Sequence, residues 1–429
     1  MNIFKSKLLW LAPITILVVL IIFSIAFYPA YNPKPKDLPI AIVNNDQGTT
    51  IQDKDVNIGK NLEEKLMNSD SNQIKWIKVG NEKEARQGIN EQKYYGVAIL
   101  EKDFSKNAMS KTQKVIIDNK KQEMQDKVKS GDIPPEQAKK MQEQMAKSNV
   151  DINVTVKKGS VKTISNGGAN MQASQIASNV VSNIGDNLNK QISQQSLDTL
   201  KAQNVQVDSK DIESITNPVK VDNQTLNEVK DHQASGNAPF LMFMPVWISS
   251  IVGSILLFYA FRTSENIKIS QRITASIGQM IVAVITAFIG AYGYIYFMSG
   301  AQDFDFNDKH KIAIYVAIAI LGFIGLILGV MAWLGMKAIP IFFIAMFFSM
   351  QLVTSPKQML PQFYQDYIIS WNPFTHYAEY LRSLIYMNQP LELNSTIWMF
   401  IGFMIFGIIS TLTAAIVRKH SNKRTEIPA

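Results

Sequence analysis

The chain has 429 residues, 47% of them hydrophobic and 18% charged, with a formal net charge of +8 and no cysteine. The missing cysteines exclude a disulfide framework, a thiolate metal site and a cysteine nucleophile. The basic excess does not point to nucleic acid, because Lys and Arg either flank apolar stretches or interleave with acids. A mean hydropathy of +0.01 averages two unlike parts. Residues 1–28 and 240–417 are dominated by Ile, Phe, Met, Ala and Gly, whereas residues 30–238 are rich in Lys, Asn, Gln, Asp and Ser.

In chain order, residues 8–28 are the first expected transmembrane helix, since a span needs about twenty mostly apolar residues. Lys5 and Lys7 precede it, as in a signal peptide. The run is longer than an h-region, however, and ends in AFYPAY without a small-x-small cleavage site, so it reads as an uncleaved anchor. LPIAIVNNDQGTT (38–50) follows, an apolar strand that stops at Asn44, Asn45, Asp46 and Gly48. Many nucleotide-binding domains begin this way. A helical pattern through Ile58, Leu62, Leu66 and Met67, the strand IKWIKVG, a helix over 82–90 and the strand YYGVAIL come next, with KVIID (114–118) a candidate fourth strand. Strands alternating with helices predict a small α/β layer.

Residues 120–147 read as two helical segments broken at SGDIPP, one carrying Met124 and Val128, the other Ala138, Met141 and Met145. DINVTVKKG (151–159) is an expected strand. Beyond it Ile176, Val180, Ile184, Leu188 and Ile192 recur every four residues on an otherwise Asn-, Gln- and Ser-rich helix. The apolar stripes are expected to pack against each other as an elongated helical arm, because such spacing is first of all a core signal. SNGGAN (165–170) reads as a flexible turn rather than a phosphate-binding nest.

Five more spans are expected at 240–261, 273–298, 312–333, 338–354 and 397–417. Only LGMK separates the fourth span of the chain from the fifth, which predicts a tight helical hairpin. The predicted fold is an α-helical polytopic membrane protein, six transmembrane helices in a 1+5 arrangement with an inserted α/β extracytoplasmic domain bearing the helical arm. Its expected domains are 1–29 (tip and first span), 30–238 (outer domain), 239–417 (the remaining five spans) and 418–429 (a basic cytoplasmic tail).

Lys and Arg in short flanks set the orientation. With the N-terminus inside, the inner segments carry Lys5 and Lys7; Arg262, Lys268 and Arg272; Lys337; and Arg418, Lys419, Lys423 and Arg424. The outer short loops hold Lys309, Lys311, Lys357 and Arg382, with Asp303, Asp305 and Asp308 offsetting the first pair. Both termini are therefore expected in the cytoplasm and residues 30–238 outside, where nucleotides are scarce. IVNNDQG then reads as the first strand and turn of an extracytoplasmic domain.

No G-x-x-x-x-G-K-[ST] occurs, the four histidines are scattered, and neither H-E-x-x-H nor G-x-S-x-G is present. No catalytic residue, metal site or cofactor is expected on this chain. Between the last two spans, YIISWNPFTHYAEYLRSLIYMNQP (367–390) is too apolar for an ordinary loop and carries Glu379 and Arg382 three apart. Asn372 and Pro373 break it in two. It reads either as a re-entrant gate element or as an interfacial helix lying flat.

NPFTHYAEYLRSLIY resembles the N-P-x-T-x-x-x-E-x-[LI]-R-x-[LI] segment before the last span in permeases of type 2 ABC exporters, with Asn372, Pro373, Thr375, Glu379 and Arg382 matching. The N-terminal half is similar to the phage infection protein (YhgE/Pip) family: an anchor, then LPIAIVNNDQGT, then YYGVAILEKDFSKN, where Asp46, Gly48, Tyr95, Gly96, Asp103, Phe104 and Ser105 match. The resemblance implies a permease subunit exporting amphiphilic or lipid-like molecules or peptides. Its expected partners are a cytoplasmic ABC ATPase that uses the ATP, a second permease chain in a homo- or heterodimer, and membrane lipids. Permeases of this kind place a coupling helix between the second and third spans, which makes Arg262, Glu265, Lys268 and Arg272 the candidate ATPase-coupling loop. The competing class is a cell-surface receptor or secretion-apparatus component without transport activity. A proton-coupled transporter is disfavoured, since the spans carry almost no acids. The Lys, Asn and Ile usage fits a Gram-positive source.

Overall fold

The apolar run beginning at Leu38 is an interior strand of a five-stranded sheet. In the computed structural model, which describes residues 35–51, 54–140, 154–261 and 268–418, β1 (Leu38–Asn44) runs through the β2–β3 hairpin (Thr49–Ile51, Lys54–Val56) into helix α1 (Ile58–Met67). Then come β4 (Ile74–Lys78), α2 (Glu82–Asn90), β5 (Gly96–Leu100), α3 (Phe104–Ala108) and α4 (Ser110–Lys129). β6 (Gly159–Asn166), α5 (Met171–Ala202), α6 (Ser209–Thr216) and β7 (Val219–Leu226) complete this first unit, which spans Pro35–Glu228.

The strand order is β4-β1-β5-β6-β7, with only β5 and β6 antiparallel. β1 is buried on both faces, which is why it reads as a nearly unbroken apolar run. Leu38, Ile40 and Ile42 meet α5 and its neighbours, whereas Ala41 and Val43 meet Ala85 and Ile89 of α2. Two glycines make the α5 contact possible. Gly96 lies beneath Ala177 and Val181, and a side chain at Gly185 would collide with Val221 of β7.

Three expectations change here. KVIID lies inside α4, its Val115 and Ile116 packed on Leu200 and Ile215; a short apolar run does not by itself distinguish strand from buried helix. The strand expected at DINVTVKKG begins only at Gly159, with residues 154–158 in no regular structure. The α5 stripe, expected to pack within the helical arm, packs elsewhere. The stripe on α5 covers the sheet, Ala173, Ala177, Val181, Ile184, Leu188 and Ile192 being buried there. Among the described residues the distal half of α4, the turn at 130–134 and the helical residues 135–140 remain open, in keeping with two helical segments broken at SGDIPP. A stripe shows that a helix has an apolar partner without saying which one. SNGGAN connects β6 directly to α5, with Asn170 capping the Gln172 N–H and Ser174 Oγ donating to the Asn166 carbonyl at 2.6 Å.

Across this sheet Glu82 joins Lys162 (2.9 Å) and Arg86 (2.7 Å). The hydrogen bond from Lys162, followed by that from Arg86, outweighs partial burial and holds the carboxyl below its ordinary 4.5. A depressed carboxyl stabilises the fold above its unfolded-state value and loses that contribution as pH falls through the folded-state value. Glu82→Gln should therefore lower the unfolding midpoint of the full chain at pH 7, by about 0.5 kcal/mol given the exposure of the group. The difference from wild type should vanish well below pH 4.5; an equal difference at both pH values would refute it.

The second unit, from Val229 onward, is helical: α7 (Ala238–Ala260), α8 (Ile269–Ala301), α9 (Lys309–Leu334), α10 (Ile339–Thr354), α11 (Pro373–Tyr386) and α12 (Ser395–Val417). Among the described residues four stretches are long and apolar enough to cross a membrane: α7, α8, the 46-residue run Lys309–Thr354, and α12. The run Lys309–Thr354 contains both α9 and α10, joined by a 3-10 turn at Gly335–Ala338. The chain reverses there, because Phe323 and Phe342 both lie against Trp247, at 4.9 and 6.0 Å between ring centroids. A continuous helix would separate their Cα atoms by about 28 Å. The predicted hairpin thus exists, with Trp247 of α7 between its arms. The expected first span, 8–28, lies outside the described residues.

α9 is the centre of this unit, packed on α7, α8 and α12. Gly322, Gly325 and Gly329 present bare backbone to Phe400, Phe403, Phe406 and Gly407 of α12. Small residues let membrane helices approach closely, which suits association where no water drives it.

Candidate functional site

Arg262 and Glu265 of the candidate coupling loop lie outside the described residues. Lys268 is the N-cap of α8, its backbone N–H donating to Gln271 Oε1 at 3.2 Å. Arg272 Nη2 donates to the Arg418 carbonyl at the end of α12 (2.7 Å), and Arg418 Nη1 to the Ala332 carbonyl in the last turn of α9 (2.6 Å). A guanidinium at each helix C-terminus satisfies carbonyls that lack an intrahelical donor and meets the negative end of the helix dipole. The start of α8 and the ends of α9 and α12 therefore sit at one level of the bundle.

The opposite ends meet at α11. Asn372 Oδ1 accepts from the N–H groups of Phe374 (3.0 Å) and Thr375 (3.1 Å), while its Nδ2 donates to Ser349 Oγ of α10 (2.8 Å). Pro373 takes the first helical position, where its missing N–H removes nothing from the helix. Thr375 Oγ1 donates to the Asn372 carbonyl at 2.9 Å. Arg382 is buried and its Nη1 donates to the Gly236 carbonyl at 2.9 Å. Tyr386 Oη donates to the Gln233 carbonyl (2.8 Å) and accepts from the Ala238 N–H (3.1 Å). Gly236, with φ +83°, and Ala234 and Ser235, also left-handed, bend the backbone so that these carbonyls face α11.

α11 is a helix that enters the bundle. Phe374 packs against Trp247 at 4.6 Å between centroids, about 13 Å along α7 from Ala238 at the helical rise. At its other end Tyr386 reaches Ala238 itself. Buried residues surround its axis: Phe374, Thr375, Tyr377, Ala378, Leu381 and Arg382 through Tyr386. α11 is thus enclosed by its neighbours along most of its length. Glu379 and Arg382, read from sequence as a pair on one face, are separated: Arg382 is enclosed, Glu379 is exposed, and no ion pair joins them among the described residues. Ser349, Gln233 and Gly236 are not legible as members of this cluster, since they come from elsewhere along the chain, and Tyr386, though in the quoted segment, carries no sign of its partners. Only the Gly in ASGNAP marked a turn.

In the first unit the two N-terminal motif segments converge on Asp46. Its Oδ1 accepts from the N–H groups of Ser105 (2.9 Å) and Gly48 (3.3 Å). Its Oδ2 accepts from the Gly59 N–H (3.0 Å) and from Ser105 Oγ. Ser105 Oγ in turn accepts from the Ile58 N–H at 2.8 Å. The turn after β1 does hold an anion at helix starts, as nucleotide-binding turns do. Here the anion is the chain's own carboxylate, and it occupies the donors a phosphate would use.

The helical unit and its motifs can be set beside known proteins. Residues 7–416 match the model of a family described as ABC-2 family transporter protein. The chain belongs to the ABC-2 transporter family. It is also 36% identical over 110 residues to a Bacillus subtilis (strain 168) protein named "Uncharacterized protein YhgE". That stretch is 25% of this chain and 14% of the B. subtilis protein, so this chain covers only a small part of that relative. No solved structure matches. Membership in the family, together with the apolar helices of membrane length, makes this chain a multi-pass membrane protein.

Proposed function

We propose that this chain is the permease subunit of an ATP-driven exporter moving amphiphilic or lipid-like molecules or peptides out of the cell. A separate cytoplasmic chain supplies the ATPase and uses the ATP, and a second permease chain completes the pathway. The observation that carries this reading is the family match over residues 7–416, in a chain without a P-loop of its own. The enclosed α11 supports it, because re-entrant backbone persists only when buried in protein or lining a cavity. In this reading Asn372, Pro373, Thr375, Glu379 and Arg382 form the outer gate. Both termini face the cytoplasm and residues 30–238 face outward, as the Lys and Arg distribution favours.

The loop 261–272 is the surface proposed to receive the ATPase. Orientation needs only its basic residues, whereas a docking surface has use for an acid as well. Reversing Glu265 to Lys strengthens the inside signal and should leave insertion and abundance unchanged. Co-purification of the ATPase from cells expressing both chains should fall sharply. Retention at the wild-type level would count against this placement.

A further inference from the structure

The motif on α11 offers several side chains with chemistry, and the fold uses all but one internally. Asn372 caps the helix and ties it to Ser349, Pro373 starts it, Thr375 bonds to the Asn372 carbonyl, and Arg382 holds Gly236. Glu379 alone makes no hydrogen bond or ion pair among the described residues, and it is exposed on a helix that is otherwise enclosed. His376, Arg382 and Lys357 are the positive groups of this chain that act on it. Arg382 turns to Gly236, and His376 Nε2 donates to the Ser370 carbonyl at 2.9 Å.

Its depth makes this costly. Tyr377 and Tyr380, flanking Glu379 on α11, lie against Tyr315, which is about 9 Å along α9 from Lys309 at the helical rise. A carboxylate open at that depth of a membrane unit is expensive unless water or a positive group meets it, and a cationic ligand supplies such a group. The limb leading into α11 also exposes Tyr367 and Trp371, at 65% and 64%, whose ring faces attract cations. An open acid on a helix whose preceding limb exposes aromatic rings suits a ligand with an apolar body and a positive charge.

We infer that Glu379 is the recognition group for the positively charged part of a cationic amphiphile carried by this permease. The inference rests on the proposed function and names the class of cargo. Arg382 is a positioning residue in this scheme, holding α11 so that Glu379 stays open.

The test is equilibrium binding of tetraphenylphosphonium to the purified full chain in nanodiscs of zwitterionic phosphatidylcholine. Tetraphenylborate, of the same shape and opposite charge, is the control. Wild type should bind the phosphonium saturably and the borate not at all. Glu379→Gln should bind the phosphonium about tenfold more weakly or worse, whereas Glu379→Asp should retain most of the affinity, which separates lost charge from lost fold. Equal phosphonium binding by wild type and Glu379→Gln, or no saturable binding by wild type, would overturn the inference. So would a change from dimer to monomer in Glu379→Gln with phosphonium binding intact, which would assign the carboxylate to a second copy of the chain. No ATPase is present in this assay, so its failure is distinct from failure of the coupling-loop experiment.

Discussion

Gly325→Leu should prevent accumulation of the folded chain, and even Gly325→Ala should lower its melting temperature in detergent. A Cβ at Gly325 would stand 2.7 Å from the Phe403 carbonyl oxygen and 3.0 Å from Met404 Cα. The same contact seen from α12 places a Cβ on Gly407 2.5 Å from the Gly325 carbonyl oxygen. These obstacles are backbone, so no rotamer change relieves them, and α9 and α12 must separate. Separation also breaks the bonds from Ser410 Oγ to the Gly329 carbonyl (2.6 Å) and from Trp333 Nε1 to Ser410 Oγ (2.9 Å). Overpacking typically costs about 1–3 kcal/mol, and the alanine variant belongs at the upper end of that range. Gly402→Ala, on α12 with nothing within 4 Å of its added Cβ, is the control. Melting curves read by fluorescence-detected size exclusion should separate the two; indistinguishable curves would show that α9 and α12 are not in backbone contact.

Asp46→Ala should destabilise the first unit by about 3 kcal/mol, since hydrogen bonds to a charged acceptor contribute about 1.5–3 kcal/mol each and their donors would be left without a partner. The carboxylate serves the Gly59 N–H at the start of α1, the Ser105 N–H and hydroxyl at the start of α3, and the Gly48 N–H in its own turn. Asp46→Asn should fall between, because one oxygen remains but an amide N–H₂ now faces N–H donors. Asp55, which accepts only an exposed bond from Thr50 at 2.9 Å, is the comparison. Its alanine variant should stay within about 0.5 kcal/mol of wild type. Proteolysis of the full chain across a urea series would rank the variants, and an Asp46→Ala midpoint equal to that of Asp55→Ala would refute the reading.

Much of the architecture is determined by composition and period alone. Apolar runs of membrane length fall where α7, α8, α9 with α10, and α12 lie, because a lipid environment leaves a backbone few ways to satisfy itself. β1, β4 and β5 are legible from apolar runs between turn residues, and Asn372–Pro373 as a break, which the structure makes the start of α11. What stayed hidden was partnership. The stripe on α5 reads the same whether it meets another arm helix or the sheet, and KVIID the same whether strand or helix.

The sites divide along the same line. Sequence determined that Asp46, Ser105, Asn372, Glu379 and Arg382 are polar residues in motif positions, and that the chain brings no ATPase motif. Only the tertiary structure decided which of them the fold consumes: Asp46 by two helix starts, Asn372 by a cap, and Arg382 by the Gly236 carbonyl. Glu379, beside them in sequence, is left open. The reason is physical. Hydrogen bonds act over about 3 Å, and which donors come within that reach of a carboxylate is set by helices joined only through the folded chain.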